Sequence, residues 1–188
     1  MALRDAVLAA LLDGEASGYE LAKGFDVSMA NFWMATPQQL YRELERMSTE
    51  GLIETRVVQQ ERRPNKRLHS ITEAGRETLR HYIAQPAKPA AIRDELLVKV
   101  QGMTDEDSPV VHAAVIEFGE WSAAKLARYE RLRMRWLDGR SEQAYLAEAK
   151  RVGPYLTLLR GISFEQENIR WAKFAIGIIE RRTASATS

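Results

Sequence analysis

The stretch TPQQLYRELERMSTEGLIETRVVQQERRPNKRLHSIT, residues 36–72, decides how the chain is read. Thr36 suits an N-cap, Pro37 the first helical position, and Gln39 closes a T-x-x-Q capping box. Leu40, Leu44 and Met47 recur at i, i+4 and i+7, which buries one stripe of a helix and frees the opposite face. That free face carries Gln38, Gln39, Arg42 and Arg46, side chains that reach base edges or phosphates. Gly51 ends the helix, because glycine takes a left-handed conformation there without steric cost. The period then changes. Residues 53–60 and 67–71 read as two extended runs, with Arg63-Pro64-Asn65-Lys66 as a type I turn between them. Arg62, Arg63, Lys66 and Arg67 surround that turn with positive charge. A polar helix face followed by a cation-tipped hairpin is the layout of a winged helix-turn-helix. The helix lies in a major groove and the wing touches the backbone or minor groove beside it. Taken singly, each piece also fits a solvated helix face or a tip charged for solubility; the order of the pieces favours the winged reading.

Upstream, residues 2–13 read as a helix with Leu3, Val7, Leu8, Leu11 and Leu12 inward, ended by Gly14. Ser17 and Glu20 form a second capping box that opens a short helix to about residue 25. Tyr19, at its N-terminus, either sits on a phosphate or packs under the wing. Residues 27–35, with Phe32 and Trp33, make an apolar connector. Downstream, Thr72 caps a helix over 73–84 with Leu79, Tyr82 and Ile83 inward, and Gly75 permits a close approach to the wing or the recognition helix.

The run QPAKPAA, residues 85–91, is the domain boundary, since two prolines stop a helix and stiffen a spacer. Everything after it reads as helix, so the expected fold is mainly α: a winged helix-turn-helix over 1–84 with a two-stranded wing, then a helical dimerisation domain over 92–182. Ile92, Leu96, Val100 and Met103 mark its first helix. Ser108 as N-cap and Pro109 at N1 open a run to about residue 137, on the order of 43 Å long. Its stripe is Val111, Val115, Phe118, Ser122, Lys125, Tyr129, Leu132 and Trp136. A further helix covers 141–152, and Gly153-Pro154 breaks it. The last helix reaches about residue 182, with a kink expected at Gly161 and an S-x-x-Q box at Ser163 and Gln166. It carries two apolar stripes, Ile169, Ala172, Ile176 and Ile179 on one side, Trp171, Phe174 and Ile178 on another. A helix apolar on two sides needs cover on two sides, and a second subunit supplies it. Leu96, Val100, Val115, Phe118, Ile169, Trp171, Ile176, Ile178 and Ile179 are the dimerisation candidates. Residues 183–188 read as a disordered polar tail.

Composition narrows the function classes. The chain has 188 residues, 45% hydrophobic and 28% charged, as soluble globular proteins do. With no cysteine it has neither disulfides nor thiolate chemistry, and His69, His81 and His112 show no metal-ligand spacing. No stretch reaches the ~18 consecutive apolar residues of a membrane span, and no secretory signal stands out, so a cytoplasmic location is expected. The net charge is only +1, and residues 1–84 hold 11 Lys/Arg against 12 Asp/Glu. A nucleic-acid surface must therefore come from local clustering.

The succession SGYEL (17–21), TPQQLYRELERMSTEGLI (36–53), RRPNKRLHSITEAGRETL (62–79) and RDELLVKV (93–100) resembles the PadR family of bacterial transcriptional regulators. GISFEQENIRWAKFAI (161–176) resembles the closing dimerisation helix of its longer members. The resemblance covers about 90% of the chain. It implies a homodimer on a palindromic operator, acting as a repressor that a small, often aromatic, ligand releases. Two departures stand out: Arg62 where the family often has Gly, and His69 where it often has Tyr.

On this reading Gln38, Gln39 and Arg42 read bases, while Tyr19, Tyr41, Arg46, Arg62, Arg63, Lys66 and Arg67 position the duplex through phosphates; Tyr41 also fits the core. Trp121, Trp136, Trp171 and Phe174 are the candidate effector-binding residues, with ordinary core packing as the alternative. A helical protein–protein adaptor without DNA binding is the rival class. No nucleophile elbow, phosphate loop or metal set points to an enzyme, and no cofactor is expected.

Overall fold

Two capping boxes and two glycines shape the N-terminal half of the computed structural model, which describes residues 2–24, 35–59, 65–87, 89 and 93–186. The chain divides into two compact units, Met1–Pro89 and Ala90–Ser188.

In the first unit, α1 (Ala2–Ala10) passes through a 3₁₀ turn (Leu11–Asp13) into a short strand β1 (Ala16–Ser17) and then α2 (Gly18–Gly24). Next come α3 (Pro37–Thr49), β2 (Ile53–Val58), β3 (Lys66–Ile71) and α4 (Glu73–Ile83). The expected two-stranded wing forms as β2 and β3, and β1 adds a third strand, giving an antiparallel sheet in the order β1-β3-β2. A two-residue strand has no period to read, so β1 left no trace in the sequence pattern. Val7, Leu8, Leu11, Leu21, Leu40, Leu44, Met47, Leu52, Ile53 and Leu79 form the core. Each fully buried aliphatic side chain there contributes about 1.5–3 kcal/mol.

Gly51 adopts φ +72°, and the chain turns from α3 into β2. Gly75 faces the backbone so closely that a Cβ would lie 2.2 Å from the Leu52 carbonyl oxygen. That same oxygen accepts from the Thr72 amide at 3.1 Å and the Thr72 hydroxyl at 2.9 Å. Thr72 also caps α4 by accepting from the Gly75 amide at 3.1 Å. Tyr82 and Ile83 differ from expectation: both are exposed, Ile83 at 69%. They continue the Leu79 stripe, but past the point where the unit's core ends.

The second unit holds α5 (Glu95–Gly102), α6 (Ser108–Leu137), α7 (Glu142–Glu148) and α8 (Gly153–Ala186). Asp94 caps α5, its carboxylate accepting from the amides of Leu96 and Leu97. Asp107, not Ser108, precedes α6, and its carboxylate is held by the Thr104 amide and hydroxyl. α7 stops at Glu148, short of the expected residue 152, because Ala149 is already extended.

The helix runs unbroken through Gly161, and the Ser163–Gln166 pair lies inside this one 34-residue helix. A lone glycine costs a helix about 1 kcal/mol without breaking it, and α6 covers this face. The expected tail is helical as far as Ala186, with the Thr183 hydroxyl donating to the Ile179 carbonyl. Residues 187–188, Phe32, Trp33, Ile92, Arg62, Arg63 and most of the wing turn lie outside the described residues.

α6 and α8 run antiparallel, with Gly119 against Ala172 near one end and Trp136 against Tyr155 near the other. Val111, Val115, Tyr129 and Leu132 meet Tyr155, Leu158, Ile162, Ala172 and Ile179 along the apolar seam. Midway, Glu165 is only 1% exposed; its carboxylate lies 3.6 Å from the Lys125 ammonium and accepts from the Asn168 side-chain carboxamide nitrogen at 3.1 Å. At the α7 end, Arg133 donates to the Tyr155 hydroxyl at 3.1 Å and to Glu142 at 2.5 Å, and Tyr155 donates to Glu142 at 2.7 Å. Among the described residues, no helix is long and apolar enough to cross a membrane.

Candidate nucleic-acid interface

The capping box at the start of α3 forms as expected: the Gln39 amide donates to the Thr36 hydroxyl at 3.2 Å, and the Thr36 amide to the Gln39 carboxamide oxygen at 2.9 Å. The cap uses the Gln39 carboxamide oxygen, and all three expected base readers, Gln38, Gln39 and Arg42, are exposed on α3. Arg46 is exposed but pairs with Glu50 at 2.8 Å, and Glu50 also binds Arg4 at 2.7 Å. A phosphate would compete with Glu50 for this guanidinium.

Beside α3 a groove of about 850 Å³ opens between the helix, the start of α2 and the sheet. Tyr41, Leu44, Glu45, Ser48 and Thr49 line the α3 side, and Thr55, Asn65, Lys66, Arg67 and His69 the wing side. The Tyr41 ring lies on Gly18, where an added Cβ would fall 2.4 Å from the ring edge. Tyr41 is thus half on the surface and half a wall, which joins the two roles left open for it. Tyr19 is 69% exposed at the mouth.

Sequence reasoning missed Glu45, Ser48 and Thr55. The signal was present, since Tyr41, Glu45 and Ser48 follow i, i+4, i+7 on a second face of α3.

Lys66 is anchored. Its ammonium lies 2.8 Å from Glu20, whose carboxylate also takes the Ser17 amide at 2.9 Å and hydroxyl at 2.8 Å. The capping box of α2 therefore ties down the wing base as well. The Lys66 bond first, then the two Ser17 bonds, lower the Glu20 pKa from 4.5 to about 2. A depressed carboxylate stabilises the fold fully above its unfolded value and loses that contribution as pH falls through the folded one. The stability of the first unit is expected to fall between pH 4.5 and about 2, and Glu20→Gln to remove that part of an acid-melting profile. Arg67 is exposed, and Arg56 is held by Glu15, with Nε 2.7 Å from the carboxylate.

His69 is buried on β3, with Ala16 and Thr55 as its strand partners. Its Nδ1 lies 3.0 Å from the Thr55 hydroxyl, which lies 3.3 Å from the Ser48 hydroxyl of α3. Burial, and secondarily the charge of Arg67, lower the His69 pKa.

The candidate effector residues do not gather within the chain. Trp136 stacks near Tyr155 at 6.3 Å and Trp171 meets Phe118 edge-on at 5.8 Å, in different parts of the seam. Trp121 and Phe174 are each 65% exposed. Of the dimerisation candidates, Val115 and Ile179 are already buried inside the unit. Leu96, Val100, Phe118, Trp171 and Ile176 are half-buried against its core, Ile169 is half-buried, and Ile178 is exposed.

A polar-faced α3 flanked by a β2–β3 wing, followed by a helical unit, defines a winged helix-turn-helix regulator fold. Residues 7–81 match the PadR-like family of transcriptional regulators, and residues 92–180 match the virulence activator alpha C-terminal family. The chain is 32% identical to the "probable transcriptional regulator Rv1176c" of Mycobacterium tuberculosis over 181 residues, covering 91% of this chain and 94% of that one. It belongs to the PadR-like family. The "negative transcriptional regulator PadR" of Bacillus subtilis is 24% identical, with 95% of this chain and 98% of that protein covered. Its structure in complex with operator DNA superposes with a TM-score of 0.73 at 22% identity, covering 95% and 99% of the two chains. Its complex with p-coumaric acid gives 0.67 at 22% identity, covering 96% and 99%.

Proposed function

We propose that this transcriptional regulator binds a palindromic operator as a homodimer, represses, and is released by a small aromatic ligand. The observation that carries the DNA reading is the pairing of exposed Gln38 and Arg42 on α3 with a groove rimmed by Tyr19, Lys66 and Arg67. One strand's backbone fits that groove while α3 reads the major groove, the two heads of a dimer lying about 34 Å apart. Glu45 on the groove wall opposes a phosphate there and favours a defined path for the strand.

Dimerisation is supported by the outer stripe of α8. Leu156, Phe164, Phe174 and Ile178 are exposed along it, and half-buried Trp171 lies in the same line. Leu156 and Ile178 stand eleven residues either side of Glu167, and Phe164 and Trp171 three and four, so the stripe matches itself in antiparallel order. Phe174→Glu is expected to convert the protein to monomer in equilibrium sedimentation and weaken DNA binding with it; an intact dimer would remove this face from the account. Repression and ligand release rest on the B. subtilis relative, named a negative regulator and solved with p-coumaric acid.

The test is a gel-shift series on the DNA upstream of the gene across salt concentrations. Wild-type binding is expected to fall steeply with salt. Arg67→Ala is expected to reduce the slope of log K against log [salt] by about 1, the share of one neutralised phosphate. Absence of salt-sensitive binding favours the adaptor reading. Phenolic acids added to the complex are expected to release DNA, and operator affinity unmoved by any of them removes the ligand.

A further inference from the structure

The hydroxyls of Ser48 and Thr55 and the imidazole of His69 form a line from α3 across β2 to β3, at 3.3 and 3.0 Å. All three line the groove assigned above to a DNA strand. We propose that His69 is a positioning residue for phosphate binding: it gains a proton as the strand enters, and through Thr55 turns Ser48 into a donor to a phosphodiester oxygen. This rests on the DNA reading of the same groove.

The chemistry follows from counting hydrogens. A neutral imidazole with its proton on Nε2 accepts at Nδ1, so Thr55 donates to His69 and Ser48 donates to Thr55. The Ser48 hydrogen is then committed inward. A proton taken from solvent onto Nδ1 makes the imidazolium a donor to Thr55, Thr55 a donor to Ser48, and the Ser48 hydrogen free to point into the groove. Protonation thus adds a positive charge and a donor together.

The charged surroundings decide when this happens. From its own strand His69 faces Arg67, which with burial disfavours the imidazolium in the free protein. From α2 comes Glu20, neutralised by Lys66, and from α3 come Glu45 and Tyr41. On either side Arg56 and Glu15 neutralise each other. A phosphodiester entering beside Arg67 offsets the repulsion that keeps His69 neutral. Whatever raises the bound-state proton affinity makes binding tighter as pH falls, until the free protein is itself protonated.

The experiment uses the full chain and a duplex recovered by selection from a random-sequence library. Calorimetry in two buffers of different ionisation enthalpy counts protons taken up on binding, from about pH 8 to about pH 5, where unperturbed histidines titrate. Net uptake near neutrality is expected, with affinity rising up to about tenfold per pH unit for each proton. His69→Gln is expected to abolish the uptake although His81 and His112 remain. Ser48→Ala and Thr55→Val are each expected to lose roughly three- to tenfold of the low-pH affinity, and the double variant no more than either alone, because they break one line. No uptake in the wild type, uptake surviving in His69→Gln, or additive losses in the double variant each overturn the proposal while DNA binding stands. A protein that binds no duplex at any pH instead overturns the DNA reading beneath it.

Discussion

Gly75→Val is expected to lower the unfolding free energy of the first unit by about 3 kcal/mol, with a fall in melting temperature of roughly 12–24 °C. The Cβ meets a backbone oxygen, that of Leu52, at 2.2 Å, so no side-chain rotation relieves the contact. Ile71 and Leu8 stand close behind at 3.0 and 3.1 Å. Separating α4 from that carbonyl also strains the Thr72 cap, which donates to the same oxygen. Gly75→Ala is the sharper case. At an open helix position alanine gains about 1 kcal/mol over glycine, so a destabilised alanine variant isolates the close approach. Thermal melts of both variants decide the matter, and an alanine variant more stable than wild type overturns it.

Arg42→Ala is expected to cost about 1–3 kcal/mol of discrimination at one base pair in each half-site. Arg42 is exposed on α3, and no carboxylate among the described residues pairs with it, unlike Arg46 with Glu50. The measurement is affinity for a panel of operator variants changed one base pair at a time. Relaxed preference at a single position identifies base contact. A uniform loss across the panel places Arg42 on a phosphate instead and passes the reading role to Gln38.

The first unit was legible wherever one residue type had one local job. Thr36, Gln39 and Thr72 cap helices in the sequence and in the structure, and Gly51 takes the positive φ that ends α3. What escaped was set by distant partners. β1 exists because residues 16–17 meet Leu68 and His69, and nothing within two residues announces it. Lys66 read as a free cation until Glu20, 46 positions away, came beside it. Gln39 fitted both cap and base reader, and the structure shows the cap through its carboxamide oxygen. In the second unit the long amphipathic runs were plain, but Gly161 and Ser163 signalled a kink and a new cap where α8, packed on α6, runs on as one helix. The four candidate aromatic residues shared a composition, not a place: half of the set faces solvent.

Glu165 has a mechanical consequence. A slide of α8 along α6 by one turn, about 5.4 Å, carries its buried carboxyl away from the Lys125 ammonium that now faces it. The buried carboxylate therefore marks one register of the two rods, a notch that apolar contacts alone would leave undefined.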